Sequence, residues 1–137
     1  MDDISGAWSG TYVYSGVMAH MAPVRFEAVF VSESGGGFSG RITDAEGVGE
    51  ADVLGRHESG QVRFVKTYRR TRYSNALPIL YAGASSEDGQ YLQGSWCIER
   101  RFLGLSLGRA EGTWEAQRPG LPEKVLVWPP PPQNVNQ

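Results

Sequence analysis

Apolar and polar residues alternate at period two over most of this chain, and the alternation breaks at clusters of turn formers. Residues two apart in a strand share one face of its sheet. Matching that template along the chain predicts about eight strands, over residues 7–15, 24–32, 37–44, 48–56, 61–70, 77–85, 91–100 and 109–118. Glycine and aromatic residues share this period, in Trp8-Ser9-Gly10-Thr11-Tyr12, Phe38-Ser39-Gly40, Gly94-Ser95-Trp96 and Gly112-Thr113-Trp114. Large and small residues alternating inward suit the tapering interior of a small closed barrel. Connectors such as Glu58-Ser59-Gly60 and Glu87-Asp88-Gly89 are short enough for hairpins, so consecutive strands pair antiparallel. The expected fold is all-β, an antiparallel up-and-down barrel of about eight strands around an interior able to hold one small ligand.

The apolar parity assigns side chains to the interior. Trp8, Tyr12, Tyr14, Phe26, Phe30, Phe38, Ile42, Val62, Phe64, Tyr68, Ile79, Tyr81, Leu92, Trp96, Ile98 and Trp114 point inward, with Lys66 among them. The stretch 48–56 alternates poorly, and its facing stays open. The opposite parity carries Arg25, Glu27, Arg41, Arg63, Gln93, Glu111, Glu115 and Gln117, as a solvated wall does. Val13, Val29, Val31 and Val65 also fall outside, which makes a homo-oligomer contact one reading of that wall and scattered surface valines the plainer one.

Composition narrows this picture. The 137 residues suit one domain, with 40% hydrophobic and 20% charged residues, the profile of a soluble globular protein. A net charge of −2 gives no overall field toward nucleic acid or membrane. The first residues lack the basic and apolar regions of a secretory signal, and no apolar run reaches the ~20 residues of a membrane helix. The single Cys97 forms no internal disulfide, so a cytoplasmic setting is expected. Residues 1–120 read as the barrel domain and 121–137 as a proline-rich tail. The stretch 121–128 is expected to add a short strand or lie on the wall. Pro129-Pro130-Pro131-Pro132 is expected to be extended polyproline II, and 133–137 disordered.

In a meander, alternate connections share a rim. One rim then carries 16–23, 45–47, 71–76 and 101–108, rich in arginine (Arg69, Arg70, Arg72, Arg100, Arg101) and aliphatics (Val17, Met18, Met21, Leu103, Leu105, Leu107). The other rim has short acidic turns. The first is the expected mouth, with 17–21 and 103–107 covering it, and the second the closed end. At that closed end Gly6-Ala7-Trp8 opens the first strand and Arg118 stands near the end of the last. This resembles the calycin pattern of lipocalins and avidin-like proteins, where a Gly-x-Trp tryptophan packs under an arginine of the final strand. The resemblance implies a calycin-like barrel with Trp8 and Arg118 as a structural cation–π pair, worth ~0.5–2 kcal/mol. Avidin-type biotin contacts do not carry over, because Trp96 and Trp114 match only as aromatics on late strands.

Lys66 is the charged interruption in an aromatic lining. A buried ammonium must meet an anion, reach the mouth or lose its proton. Two readings stand level: an anchor for a ligand carboxylate or phosphate, and an internal pair with Asp44. A Schiff-base role is a distant third. Arg100 at the mouth is a second candidate for an anionic head group, against a plain solvated rim arginine. Tyr12, Tyr14, Tyr68 and Tyr81, with Trp96 and Phe64, complete the candidate ligand-binding set, each being an ordinary core aromatic on the alternative reading. His20, His57 and Cys97 are too scattered for a metal site, and the glycine-rich run Ser34-Gly35-Gly36-Gly37 leads into a strand, so no cofactor is expected. Asp44, Glu46, Glu50 and Asp52 read as a solvated turn. The basic and aromatic run 68–73 reads as a rim and gives no nucleic-acid partner.

The leading expectation is a protein that binds a small amphipathic, anionic molecule inside its barrel. The alternative is an enzyme, a cyclase or isomerase of the kind seen in barrels resembling allene oxide cyclases, using the same cavity without a metal. A non-catalytic structural or interaction module with a filled core is the third reading.

Overall fold

The computed structural model describes residues 3–45, 49–69, 78–102 and 105–121, with backbone only for 99–102 and 105–109. Eight strands follow in order: β1 (Gly6–Tyr14), β2 (Val24–Ser32), β3 (Gly37–Asp44), β4 (Gly49–Glu58), β5 (Gln61–Tyr68), β6 (Ile79–Ser85), β7 (Tyr91–Phe102) and β8 (Leu105–Gln117). Each pairs antiparallel with the next, and β8 returns to β1 with Ser9 opposite Gln117 and Tyr14 opposite Gly112. The sheet is a closed up-and-down barrel. Among the described residues no helix is long and apolar enough to cross a membrane.

The glycine and aromatic pattern becomes cross-strand pairing. Gly10 lies opposite Phe26, Gly40 opposite Phe30, Gly55 opposite Phe64, Gly94 opposite Trp114 and Gly112 opposite Trp96. At Gly112 a Cβ would sit 2.7 Å from the Trp96 indole nitrogen, so any side chain there collides with the ring. The bare backbone lets the Trp96 N–H reach across and donate to the Val13 carbonyl at 3.1 Å. The Trp114 N–H likewise donates to the Ser95 carbonyl at 3.1 Å. Tight strand coiling and satisfied indoles thus come from the same positions.

Burial follows the alternation closely. The expected inward residues from Trp8 to Trp114 are buried, except Tyr14, Tyr68 and Ile98, which are partly buried. The open question of β4 resolves with Ala51 and Val53 inward, and Ile4 joins the core ahead of the first strand. Phe64 is the hub of the lower core. Its ring stacks on Tyr81 at 4.6 Å and meets Trp114 at 5.5 Å, Phe30 at 5.7 Å and Phe38 at 6.0 Å.

The 101–108 loop is shorter than the sequence suggests. β7 and β8 stay paired as far as Phe102 opposite Leu105, with a register shift between Arg100 and Arg101. The ladder runs through Gly108, inside the stretch expected to be loop. The expectations for 71–76, for most of 45–47, for Arg70, Arg72 and Leu103, and for the tail beyond Leu121 lie outside the described residues.

Candidate functional site

The two ends of the barrel are built differently. At the end holding the Ser59-Gly60 turn, the chain enters through Ile4 and turns at Gly6, whose φ of +110° suits glycine. A Cβ on Gly6 would also lie 3.0 Å from an Arg118 nitrogen. The turn drops Trp8 into the barrel floor, where its indole donates to the Ile4 carbonyl at 2.8 Å. The Arg118 guanidinium lies 4.0 Å above that ring and donates to the Ser5 and Asp3 carbonyls, both at 2.7 Å. Gly-x-Trp plus arginine is thereby explained: glycine for the turn and the close approach, tryptophan for the plug, arginine for the carbonyls the turn leaves. The Ser32 N–H donates to Ser5 Oγ at 2.7 Å and ties this cap to β2.

The opposite end carries a polar cluster beneath a partly buried rim. Lys66 on β5 is wholly buried, and Asp44 at the end of β3 is nearly so. Lys66 Nζ donates to Asp44 Oδ1 at 3.0 Å and Oδ2 at 3.3 Å. The Tyr12 hydroxyl donates to Asp44 Oδ2 at 3.4 Å, and the Tyr68 hydroxyl makes a short hydrogen bond to the same oxygen. The ammonium also lies 4.7 Å from the Tyr68 ring centre, 4.9 Å from Tyr12 and 5.8 Å from Tyr81. A carboxylate with three donor groups and an ammonium caged by three rings balance each other's charge.

Titration is displaced here. Desolvation pulls the Lys66 ammonium below its ordinary value, and the Asp44 charge opposes that pull. Burial first, then Asp44, pushes Tyr68 up, and burial with the Asp44 charge does the same to Tyr12. Burial raises Tyr81 well above the usual phenol range. All three phenols are therefore protonated at neutral pH, so Tyr12 and Tyr68 act as donors to Asp44 and keep oxygen lone pairs to accept.

Around this cluster Tyr14, Val24, Tyr68, Ile98 and Ala110 form a ring of partly buried side chains packed on the core. Tyr14 meets Trp96 edge-on at 5.0 Å, and Tyr12 meets Trp96 at 5.9 Å. Above them the β1–β2 connection leaves Val17, Met18 and Met21 exposed. The structure thus brings Lys66, Tyr12, Tyr14, Tyr68 and Trp96 together, with Tyr81 at the lower edge of the group. It places Phe64 a layer deeper, inside the aromatic core. Arg100 stands on β7 toward the same rim, its side chain outside the described residues. Lys66 makes the internal pair with Asp44. Val24 and Ala110 were not picked out by sequence, although each sits at inward parity on a strand reaching this rim. Among the described residues no three His, Cys, Asp or Glu side chains are grouped to hold a metal ion.

No protein-family model matches the chain, and neither a curated protein nor a solved structure matches it significantly. The fold and the cluster are therefore the grounds for a functional reading.

Proposed function

We propose that this chain is a calycin-like barrel that binds an amphipathic small molecule at the end opposite Trp8. The observation that carries this reading is the contrast in burial. One end is plugged and capped, while the other sets a satisfied but polar Asp44–Lys66–Tyr12–Tyr68 cluster under an incompletely buried apolar ring. Ligand sites combine a mostly apolar wall with a few convergent polar groups, and this end has both. The ligand's apolar body rests on Tyr14, Ile98 and the Trp96 edge, under the exposed Val17 and Met18. Its polar end meets the tyrosine oxygens. Because Asp44 already neutralises Lys66, an anionic head would share that lysine or turn to Arg100.

Tryptophan fluorescence titrations with a fatty acid and the fatty alcohol of equal chain length test this reading. Saturable binding of at least one, weakened by Tyr14→Ala and unaffected by Arg118→Met, is the expected result. Acid binding well above alcohol binding would restore the anionic head group. Absence of saturable binding, together with native mass spectra of freshly purified protein free of any retained molecule, would leave the barrel as a filled module. Turnover of a bound compound would move it to the enzymes.

A further inference from the structure

The charges of the polar cluster are turned inward. The side chains of Lys66 and Asp44 are both fully shielded from solvent. Lys66 Nζ is enclosed by the Asp44 carboxylate and by the rings of Tyr12, Tyr68 and Tyr81. A molecule resting on the rim above them therefore meets neither ion. What it meets is phenol. Tyr68 is the last residue of β5 at this end, opposite Ala51, and its side chain is partly buried.

A phenol hydroxyl has one proton to donate and oxygen lone pairs to accept. The Tyr68 proton is committed to Asp44 Oδ2, and so is that of Tyr12. Burial, with Asp44 beside them, keeps both phenols protonated at neutral pH. What remains of each hydroxyl is acceptor capacity. Donating to a carboxylate also polarises the phenol and strengthens its oxygen as an acceptor.

We infer, resting on the reading that this end binds an amphipathic molecule, that the bound head group is uncharged and donates a hydrogen bond to the Tyr68 oxygen. A hydroxyl or a primary amide on an apolar body meets that description. Among Asp44, Lys66, Tyr12 and Tyr68 an anion finds no accessible proton, and held there it would lose hydration with no donor in return. A cation meets an ammonium already balanced by its carboxylate and gains no net attraction. An ether has the oxygen but no proton, and its lone pairs face those of Tyr68. Charged amphiphiles are then held by their apolar part, with the charge left in water at the rim. Selectivity comes from matching a donor to an acceptor and not from matching charges.

Tryptophan fluorescence titrations of the intact chain with four probes of equal chain length test this: decanol, decanamide, decyl methyl ether and decanoate. The alcohol and the amide should each bind about tenfold more tightly than the ether and the carboxylate. The ether keeps the chain and the oxygen, so its binding measures the apolar contacts alone. Tyr68→Phe should bring the alcohol down to the affinity of the ether, while ether binding and the β-sheet circular dichroism stay at wild-type values. The wild-type series decides the point even where Tyr68→Phe does not fold. An ether as tight as the alcohol, a carboxylate tightest of the four, or an alcohol preference that survives in folded Tyr68→Phe would overturn the donor head group and leave a site at this end in place. Saturable binding of none of the four would remove the site itself, and the proposal with it.

Discussion

At one end of this barrel a cation covers a tryptophan, and at the other a cation sits among tyrosines, yet the two are compensated in different ways. Arg118 stays at the surface and gives its protons to the Ser5 and Asp3 carbonyls. Lys66 is withdrawn from water and held by the Asp44 carboxylate. Arginine capping with neutral acceptors is inexpensive, because the guanidinium keeps part of its hydration. A buried ion pair carries a desolvation cost that apolar residues of equal volume would avoid. The Trp8 end is therefore built for stability, and the Lys66 end retains polar chemistry that stability alone does not require.

Breaking the Lys66–Asp44 pair should have the largest effect. Asp44→Ala leaves an uncompensated buried ammonium and should cost ~3–5 kcal/mol in denaturant unfolding. Asp44→Leu combined with Lys66→Met should regain most of that loss when compared directly with the single change. If the double change is as unstable as Asp44→Ala, the pair is more than a compensated charge. Alkali tests the same region. The folded values of Tyr12, Tyr68 and Tyr81 are raised above the ordinary 10.0, so the unfolded chain releases these protons first. Stability should be full below pH 10 and fall above it, by at most about 1.4 kcal/mol per pH unit for each phenol. Lys66 runs the other way. Its folded value is depressed below 10.5, so its own contribution rises with pH up to that point. Three phenols oppose one amine, and the net result above pH 10 is loss. Phenolate absorbance from these three should appear together with unfolding.

Smaller effects separate the ends further. Arg118→Met removes a cation–π contact and two hydrogen bonds to carbonyls and should cost about 2 kcal/mol, read from the unfolding midpoint. Ligand affinity should not change. Tyr14→Ala, at the partly buried rim, should cost only about 1 kcal/mol by the loss of its edge contact with Trp96. Its effect should fall on ligand affinity instead. A large stability loss with unchanged affinity would make Tyr14 part of the core and remove the distinction between the two ends.

The barrel was legible because each strand is half-buried and its side chains alternate without a break. Only β4 was ambiguous: Ala51 and Gly55 are too small to mark an inward face, and Leu54 and Val53 are both aliphatic on opposite faces. The Trp8 and Arg118 contact was legible as a motif, and Gly6 supplies its physical reason. Site membership was harder. Lys66 stood out as a charge among rings, but whether its partner was Asp44 or a ligand depends on side-chain reach across two strands, which periodicity does not encode. Phe64 and Tyr14 share the same inward parity, and only their height along the barrel axis separates core from rim. The β7–β8 hairpin tip was misread because glycine serves both turns and strands that bend sharply.

One measurement compares the two ends in a single experiment. The indole N–H of Trp8 is bonded to Ile4 at one end, and that of Trp96 to Val13 beside Tyr14 toward the other. In nitrogen-edited NMR spectra, titration with the amphipathic dye 8-anilinonaphthalene-1-sulfonate should move the Trp96 indole resonance saturably and leave Trp8 in place. Tyr14→Ala should weaken that response. Saturable movement of Trp8 with Trp96 unchanged, or no saturable movement of either, would contradict a binding site at the end opposite Trp8.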